Sequence, residues 1–151
     1  MPSHDPIVWS DALVTGVAEI DDQHRILVNT LNAAGAKLSG NPDAALLDQI
    51  TRDLLSYALY HFETEEALME QFIDEAEHRA DIQAHGEQHR GFSSKVVAVR
   101  EGIKAGSLIS RDDLLAFLNG WLVHHIMNTD KKLATLIIAR RQASAAQSAS
   151  T

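Results

Sequence analysis

The chain has 151 residues, 45% of them hydrophobic and 23% charged, with a formal net charge of −8, as expected for one globular domain with a single core. It contains no cysteine, which excludes disulfides, thiolate zinc sites and iron–sulfur clusters. The negative charge argues against nucleic acid as a partner, because phosphate binding relies on clustered lysine and arginine. No apolar run reaches the roughly 20 residues of a membrane span, and the first residues lack a secretory signal, so we expect a cytoplasmic protein without membrane insertion.

The first part of the chain predicts an arm followed by a helix. Residues 1–20 carry two prolines and no helical period, which indicates an extended N-terminal arm. From Asp21 to about Leu38, apolar residues recur every three or four positions, the pattern of an amphipathic helix. The Ser-Gly-Asn-Pro stretch that follows ends this helix. Asn41, as an N-cap with Pro42 at the first helical position, is expected to start the second helix.

The second and third helices are separated by a segment of ambiguous character. The second helix is predicted to run to about Asp74, and its apolar residues keep the helical spacing. The charged stretch EAEHRAD at 75–81 is compatible with an extra helical turn or with a loop. A third helix is expected from about Ile82, and Gly102 and Gly106 weaken its end.

The last helix starts at a recognisable capping sequence. Ser110 followed three residues later by Asp113 resembles a capping box, and the apolar period continues from there to Arg140. Residues 141–151 are of low complexity and are predicted to be a disordered tail. Together the elements predict an all-α protein, an up-down-up-down four-helix bundle over residues 21–140.

Histidine and carboxylate residues interrupt the apolar faces of all four predicted helices. Some form pairs four residues apart, which lie on one face of a helix, and the others occupy single positions of an apolar face. These residues are His24, His61, Glu65, His85, His89 and His125. Burying such groups without partners costs several kcal/mol, and one small core cannot supply ordinary partners for all of them. The pattern therefore predicts a metal site in the bundle core.

The types of ligand narrow the choice of metal. Imidazole and carboxylate without sulfur suit iron, zinc or manganese, and five histidines exceed one tetrahedral zinc but fit two metals bridged by carboxylates. The zinc-protease motif H-E-x-x-H is absent, because Glu87 between His85 and His89 stands at a different position. A ferritin-like di-iron site needs two E-x-x-H pairs, and only Glu75 with His78 reads that way. Three surplus histidines are expected at the surface: His4, His78 and His124.

Four motifs, in this order, give the sequence its likeness to a known family. They are VTGVAEIDDQH ending at His24, HFETE starting at His61, HGEQHRGF starting at His85, and WLVHHIMNTDK around His125. In this combination the chain resembles the hemerythrin family, specifically its single-domain bacterial members, the bacteriohemerythrins. The resemblance covers roughly residues 7–139.

The resemblance implies a non-haem di-iron centre that binds O₂ reversibly. It assigns three histidines to one iron ion and two to the other, with two bridging carboxylates and an oxo or hydroxo bridge. In that order these residues are His85, His89 and His125, then His24 and His61, and the carboxylates Glu65 and Asp130. Apolar residues close to them in sequence match the family's lining of the O₂ pocket: Leu27, Phe62, Trp121, Leu122 and Ile126.

The spacing of the last two ligands predicts a local departure from regular helix. His125 and Asp130 are five residues apart, which places them about 140° apart around an α-helix. Both can face one site only if the helix widens between them, so we predict a π-type bulge there, a feature common at functional sites.

The resemblance leaves several functions open. The leading interpretation is an O₂-binding protein for storage, delivery or buffering rather than an enzyme, because no positioned acid or base is evident beyond the ligands. The alternatives are a di-iron peroxidase, a nitric-oxide-handling enzyme, or a module that senses O₂ or iron.

Overall fold

The computed structural model describes residues 6–38 and 42–150, and within these ranges it contains helices and no strand. A short 3₁₀ turn (Asp11–Leu13) precedes the first long helix. The α-helices are α1 (Ala18–Lys37), α2 (Ala44–Phe72), α3 (Glu75–Lys104), α4 (Arg111–His124) and α5 (Lys131–Ser150). A π-helical segment, His125–Asp130, joins α4 to α5, so these three together form the fourth rod of a bundle. The predicted all-α four-helix architecture is confirmed. None of the described helices has the length and apolarity that a membrane crossing requires.

The N-terminal arm is fastened to the bundle by side-chain hydrogen bonds. The backbone N–H of Ile7 donates to Asn32 Oδ1 and the Asn32 amide donates back to the Ile7 carbonyl, both at 2.9 Å. The guanidinium of Arg25 lies over the Trp9 ring at 5.1 Å, and Leu13 is buried in the core. The arm is therefore part of the packed domain. His4 lies outside the described residues.

Helix α1 begins at Ala18, three residues before the predicted start at Asp21. The carboxylate of Asp21 accepts hydrogen bonds from the Thr15 N–H and hydroxyl, both at 2.8 Å, and from the Gly16 N–H at 3.1 Å. These bonds hold the loop against the first turn, and Ile20 in that turn is fully buried. These contacts therefore extend the N-terminal end of α1 beyond the segment in which the sequence shows a helical repeat of apolar residues.

The structure changes the predicted start of α2 and confirms the predicted N-cap of α4. The N-cap of α2 is Asp43, whose side chain accepts from the Leu46 N–H at 2.8 Å; the predicted cap, Asn41, lies outside the described residues. The cap predicted for α4 is confirmed, because the Ser110 hydroxyl accepts from the Asp113 N–H at 3.1 Å.

The ambiguous segment 75–81 is helical. Helix α2 ends at Phe72, and Asp74 caps α3 by accepting from the backbone N–H groups of Ala76 and Glu77. A single non-helical residue, His78, with φ −117° and ψ 25°, bends α3 within its second turn. The connection between α2 and α3 is therefore two residues long, which keeps the two helices antiparallel neighbours.

The prediction of a disordered tail at 141–151 is wrong for the described part, because α5 continues to Ser150. The segment is rich in alanine, the residue with the highest intrinsic helix propensity. Arg141 also ties the start of this extension to the bundle: it forms an ion pair with Glu19 at 2.6 Å, and its guanidinium lies 4.8 Å from the Phe72 ring centroid.

The apolar core is divided into two clusters. The larger includes Leu27, Leu31, Leu54, Phe62, Phe92, Leu118 and Leu122. The smaller consists mainly of Val17, Ile20, Leu68, Met69, Leu133, Ala134 and Ile137. The predicted polar residues of the helices lie between these two groups along the sequence of each helix, so a buried polar layer interrupts the core.

Candidate metal centre

All seven residues predicted as ligands are brought together in that polar layer. Each is buried, with at most 3% of its surface exposed. Their ligand atoms form two groups in which all atoms lie within 4.8 Å of one another. The first group is Glu65, His85, His89, His125 and Asp130; the second is His24, His61, Glu65 and Asp130. The two groups share both carboxylates, which is the arrangement that bridges two adjacent cations.

Every helix rod contributes to the site. Helix α1 supplies His24, α2 supplies His61 and Glu65 one turn apart, and α3 supplies His85 and His89 with the same spacing. The π-helical segment supplies the remaining two residues from its first and last positions. The four-residue spacing places both members of a pair on one helical face, which is why α2 and α3 can each present two ligands.

The predicted bulge is confirmed by the π-helix at His125–Asp130. Five residues complete little more than one turn of the wider helix, so both side chains point to the same side. Nε2 of His125 lies 3.0 Å from Asp130 Oδ1. A regular α-helix would have turned the carboxylate away from the other ligands.

Asp130 lies at the centre of three imidazoles. Its Oδ2 is 2.7 Å from Nε2 of His24, and its Oδ1 is 3.2 Å from Nε2 of His85 and 3.0 Å from Nε2 of His125. His85 and His125 belong to the first ligand group and His24 to the second. The carboxylate therefore reaches across the site rather than serving one side of it.

Glu65 has the same bridging position from the other side. Its Oε1 is 3.0 Å from Nε2 of His89, 3.4 Å from Nε2 of His61 and 3.5 Å from Nε2 of His85. All five imidazoles thus direct Nε2, and not Nδ1, toward the carboxylates. A uniform choice of ring nitrogen is typical of metal ligands whose other nitrogen is held by a neighbouring acceptor.

Glutamine side chains set the tautomers of two of these rings. Nδ1 of His61 donates to Gln23 Oε1 and Nδ1 of His125 donates to Gln88 Oε1, each at 2.7 Å. The Thr129 hydroxyl donates to the same oxygen of Gln88 at 2.8 Å. An amide oxygen can only accept, so each Nδ1 carries the proton and each Nε2 keeps its lone pair for a metal.

The carboxylate of Glu66 sets the tautomer of His89 in the same way. Nδ1 of His89 donates to Glu66 Oε2 at 3.4 Å. Sequence reasoning missed these supporting residues, although a signal existed: each directly precedes or follows a predicted ligand in the chain. They are Gln23, Glu66 and Gln88.

The geometry around His89 and His125 favours a cation strongly. Their Nε2 atoms are 3.2 Å apart, and both rings carry their proton on Nδ1. Two lone pairs therefore face each other in a buried space, an arrangement that is repulsive unless a cation lies between them.

The unpartnered polar atoms of the described residues lead to the same conclusion. Seven of the eight buried side-chain nitrogen and oxygen atoms without a hydrogen-bond partner belong to the ligand residues. They are Nδ1 and Nε2 of His24, Nε2 of His61 and His85, Oε2 of Glu65, and both carboxylate oxygens of Asp130. Buried polar groups are nearly always satisfied, and two cations would satisfy most of these at once. The residues present therefore fit a two-metal centre.

Burial keeps the imidazoles in the form that binds metal. Desolvation, assisted by the neighbouring His24, lowers the pKa of His61 to about 3, and desolvation together with His85 lowers the pKa of His89 to about 2. Burial also lowers the pKa of His125. These rings are neutral at physiological pH, and a neutral imidazole is the ligand form.

The pKa values of the two carboxyl groups, Glu65 and Asp130, shift in opposite directions. Burial, and then the nearby charge of Asp130, raises the pKa of Glu65 well above its usual range. Burial also acts to raise the pKa of Asp130, but the adjacent imidazoles of His125, His24 and His85 outweigh it and hold that pKa well below its usual range. Two carboxylates this close share a proton unless positive charge is supplied. Metal ions bound here would supply that charge, and their binding would release the proton.

Apolar side chains cover one side of the centre. The Phe62 ring stacks on His89 with centroids 3.9 Å apart, and Trp121 stacks on His125 at 4.4 Å. Four of the five residues predicted to line the O₂ pocket surround a small apolar cavity of about 20 Å³, roughly the space of one water-sized molecule: Leu27, Phe62, Trp121 and Leu122. The fifth, Ile126, is fully buried in the same core cluster but does not line this cavity.

Of the surplus histidines, two can be located. His124 is exposed and its Nδ1 is 3.2 Å from the amide of Asn128. His78 is partly exposed, with Nδ1 3.8 Å from Asp81 Oδ2. Neither belongs to the two ligand groups.

Comparisons with known proteins agree with the geometry. The family model for the hemerythrin HHE cation binding domain matches residues 15–137. The bacteriohemerythrin of Pseudomonas paraeruginosa is 36% identical over 124 residues, covering 82% of this chain and 76% of the relative. That of Stenotrophomonas maltophilia is 33% identical over 133 residues, covering 88% and 82%. Among solved structures, wild-type hemerythrin superposes with a TM-score of 0.74 at 26% identity, covering 87% of this chain and 97% of that one.

Proposed function

Since the chain belongs to the hemerythrin family, we propose that it binds O₂ reversibly at a pair of iron ions and serves to store, deliver or buffer O₂. The observation that carries the proposal is the pair of overlapping ligand groups that share Glu65 and Asp130. In this arrangement the two carboxylates would bridge the ions. His85, His89 and His125 would hold one iron, and His24 and His61 would hold the other.

The asymmetry of the ligand set supports an open coordination position. One group contains three imidazoles and the other contains two, while both share the same carboxylates. An ion with fewer protein ligands keeps room for a small molecule, as catalytic and ligand-binding metal sites do. The pair of iron ions, when bound, supplies the electrons that O₂ takes up on binding and gives back on release.

The protein's own residues make such binding reversible. Gln23 and Gln88 hold imidazole rings of both ligand groups in fixed orientations through short hydrogen bonds. Phe62 and Trp121 stack on ligand rings and shield them from solvent. A dry apolar surface disfavours the separation of charge and the entry of water, which otherwise lead to release of oxidised products.

The lining of the apolar cavity favours binding over catalysis. Its residues are all aliphatic or aromatic, and none carries an acid or base. A peroxidase needs a positioned proton donor close to the bound molecule. The alternative functions are a di-iron peroxidase, a nitric-oxide-handling enzyme and an O₂ or iron sensor, and a different result of the following test would favour them.

The proposal is tested by absorption spectra of iron-loaded protein cycled between argon and air. We expect a visible charge-transfer band that appears with O₂, disappears under argon and returns over several cycles with unchanged amplitude. A single irreversible oxidation would contradict reversible binding and favour an enzyme or a sensor.

A further inference from the structure

A second cavity, lined by different residues from the apolar one, reaches the ligand residue His85. It has a volume of about 180 Å³ and opens between α3, the π-helical segment and α5, so we call it the α3–α5 cavity. His85, Gln88 and Thr129 form its inner end, and Asp81 and Lys132 stand at its mouth. None of the residues around the apolar cavity contributes to it.

His85 directs an unused donor toward this cavity. Its Nε2 faces Asp130 and Glu65 at 3.2 and 3.5 Å, so Nδ1, on the other side of the ring, points away from the centre. The side chain is 4% exposed and lines the cavity. The rings of His61, His89 and His125 each donate from Nδ1 to a protein oxygen, whereas no described residue accepts from Nδ1 of His85.

Two further side chains that carry N–H donors, Gln88 and Lys132, line the same cavity. The amide oxygen of Gln88 is occupied by His125 and Thr129, which leaves its NH₂ group without an acceptor among the described residues. The ammonium of Lys132 stands at the mouth, 2.8 Å from Asp81 Oδ1. The inner end thus lacks an acceptor that matches these donors. A carboxylate oxygen is the strongest acceptor for such N–H groups.

Apart from Asn128, the remainder of the cavity wall is apolar. Met69, Ile73, Leu133 and Leu136 line it. Its volume is close to that of an engineered cavity of about 150 Å³ that accommodates benzene. The occupant should therefore combine one acceptor group with a short hydrocarbon chain.

We propose that the α3–α5 cavity is a binding site for a short-chain monocarboxylate. Its carboxylate accepts hydrogen bonds from His85 Nδ1 and the Gln88 amide, and its hydrocarbon chain lies on the apolar wall. Binding requires only groups of the protein. Its consequence for the metal rests on the proposed function: a carboxylate hydrogen-bonded to a ligating imidazole raises the basicity of that ligand, so occupancy would be coupled to the iron pair through His85.

Sodium butyrate is the probe, and ligand-observed saturation-transfer NMR on protein of known metal content is the measurement. For a ligand of this size we expect saturable binding with a Kd of about 1 mM. The uncharged isostere 1-butanol should bind at least about fivefold more weakly, because it lacks the charge-assisted hydrogen bonds.

Two matched pairs of variants test whether butyrate binds in the α3–α5 cavity. Ala84 lines the cavity and is exposed, so Ala84→Phe should narrow it and weaken butyrate binding at least about tenfold. Ala80→Phe, one turn earlier on α3 and away from the cavity, should bind as wild type. Lys132→Gln should weaken binding about threefold, the size typical of an exposed charge, and Lys131→Gln should not.

The result that would overturn the proposal is an absence of saturable butyrate signal, which would mean that solvent alone fills the cavity. Equal binding by Ala84→Phe and Ala80→Phe, or equal binding of butyrate and butanol, would also overturn it. Failure of the proposed function is seen separately, as missing iron or irreversible oxidation, because butyrate binding is read from the ligand and not from O₂ uptake.

Discussion

At the scale of single residues, the hydrogen bonds behind the imidazoles are as informative as the imidazoles themselves. Gln88 accepts from both His125 Nδ1 and the Thr129 hydroxyl, and so links α3 to the π-helical segment. Gln23 likewise links α1 to His61 on α2. Their adjacency to predicted ligands marks these glutamines in the sequence, but it does not show which histidine each one supports, because that histidine lies on a different helix.

Replacing Gln88 by leucine should weaken metal binding about 10- to 100-fold, because His125 loses the acceptor that fixes its orientation and tautomer. Competition with a chelator measures the affinity. Gln88→Glu keeps an acceptor and should retain most of it. Gln83→Leu, also on α3 but bonded only to the exposed Glu87, is the matched control. Similar losses in the leucine variants at 83 and 88 would mean that the hydrogen bond to His125 is unimportant.

The two kinds of histidine predicted from the sequence should separate in function. His61→Ala removes one of only two imidazoles in its ligand group, so O₂ binding should be lost. His124→Ala changes an exposed residue outside both groups and should behave as wild type. O₂ titration followed by absorption measures both. Equal behaviour of the two variants would show that the assignment of helix faces is wrong.

At the scale of helices, spacing in the sequence was a better guide than propensity. The five-residue interval between His125 and Asp130 predicted the π-helix, since no regular helix could bring both to one site. The boundaries near Asp21 and Asp74 were less predictable, because they depend on hydrogen bonds that backbone N–H groups donate to the side-chain carboxylates of these residues. The prediction of disorder after Arg140 was wrong for a different reason. A polar, alanine-rich composition is compatible both with disorder and with the exposed helix that continues α5 to Ser150.

The π-helix should tolerate the loss of one exposed residue. Removing Asn128 leaves His125 and the following aspartate four residues apart, about 40° around a regular α-helix, so both still face the site. We expect this variant to keep its iron. Removing Gly120, an exposed residue of α4, rotates all later residues by about 100° relative to the start of that helix, and we expect iron to be lost.

Iron content and circular dichroism of the two deletions give the answer. Retention of iron in the first and loss in the second would show that the π-helix serves to place Asp130. Loss of iron in both deletions, with helical content preserved, would show instead that the wider turn is itself required.

At the scale of the whole molecule, the polar layer separates two apolar clusters that would otherwise form one core. Seven of its buried nitrogen and oxygen atoms have no hydrogen-bond partner among the described residues, and each unsatisfied group costs about 1–3 kcal/mol. Metal ions bound by the ligand groups would join residues of all four rods across this layer. They should therefore contribute to the stability of the fold as well as to its function.

Removal of iron should lower the melting temperature by about 10 °C, corresponding to a loss of about 4 kcal/mol in the free energy of unfolding. Differential scanning calorimetry before and after chelation measures the change, and adding iron back should restore the original value. A melting temperature that does not respond to chelation would show that the layer is stable without metal.

The most direct test of the account is the metal content of the protein isolated from its native source, measured by elemental analysis against protein concentration. Seven ligands arranged in two groups with shared carboxylates predict two iron ions per chain. Protein that contains no metal, or a single zinc ion, would contradict the di-iron centre and with it the proposed binding of O₂.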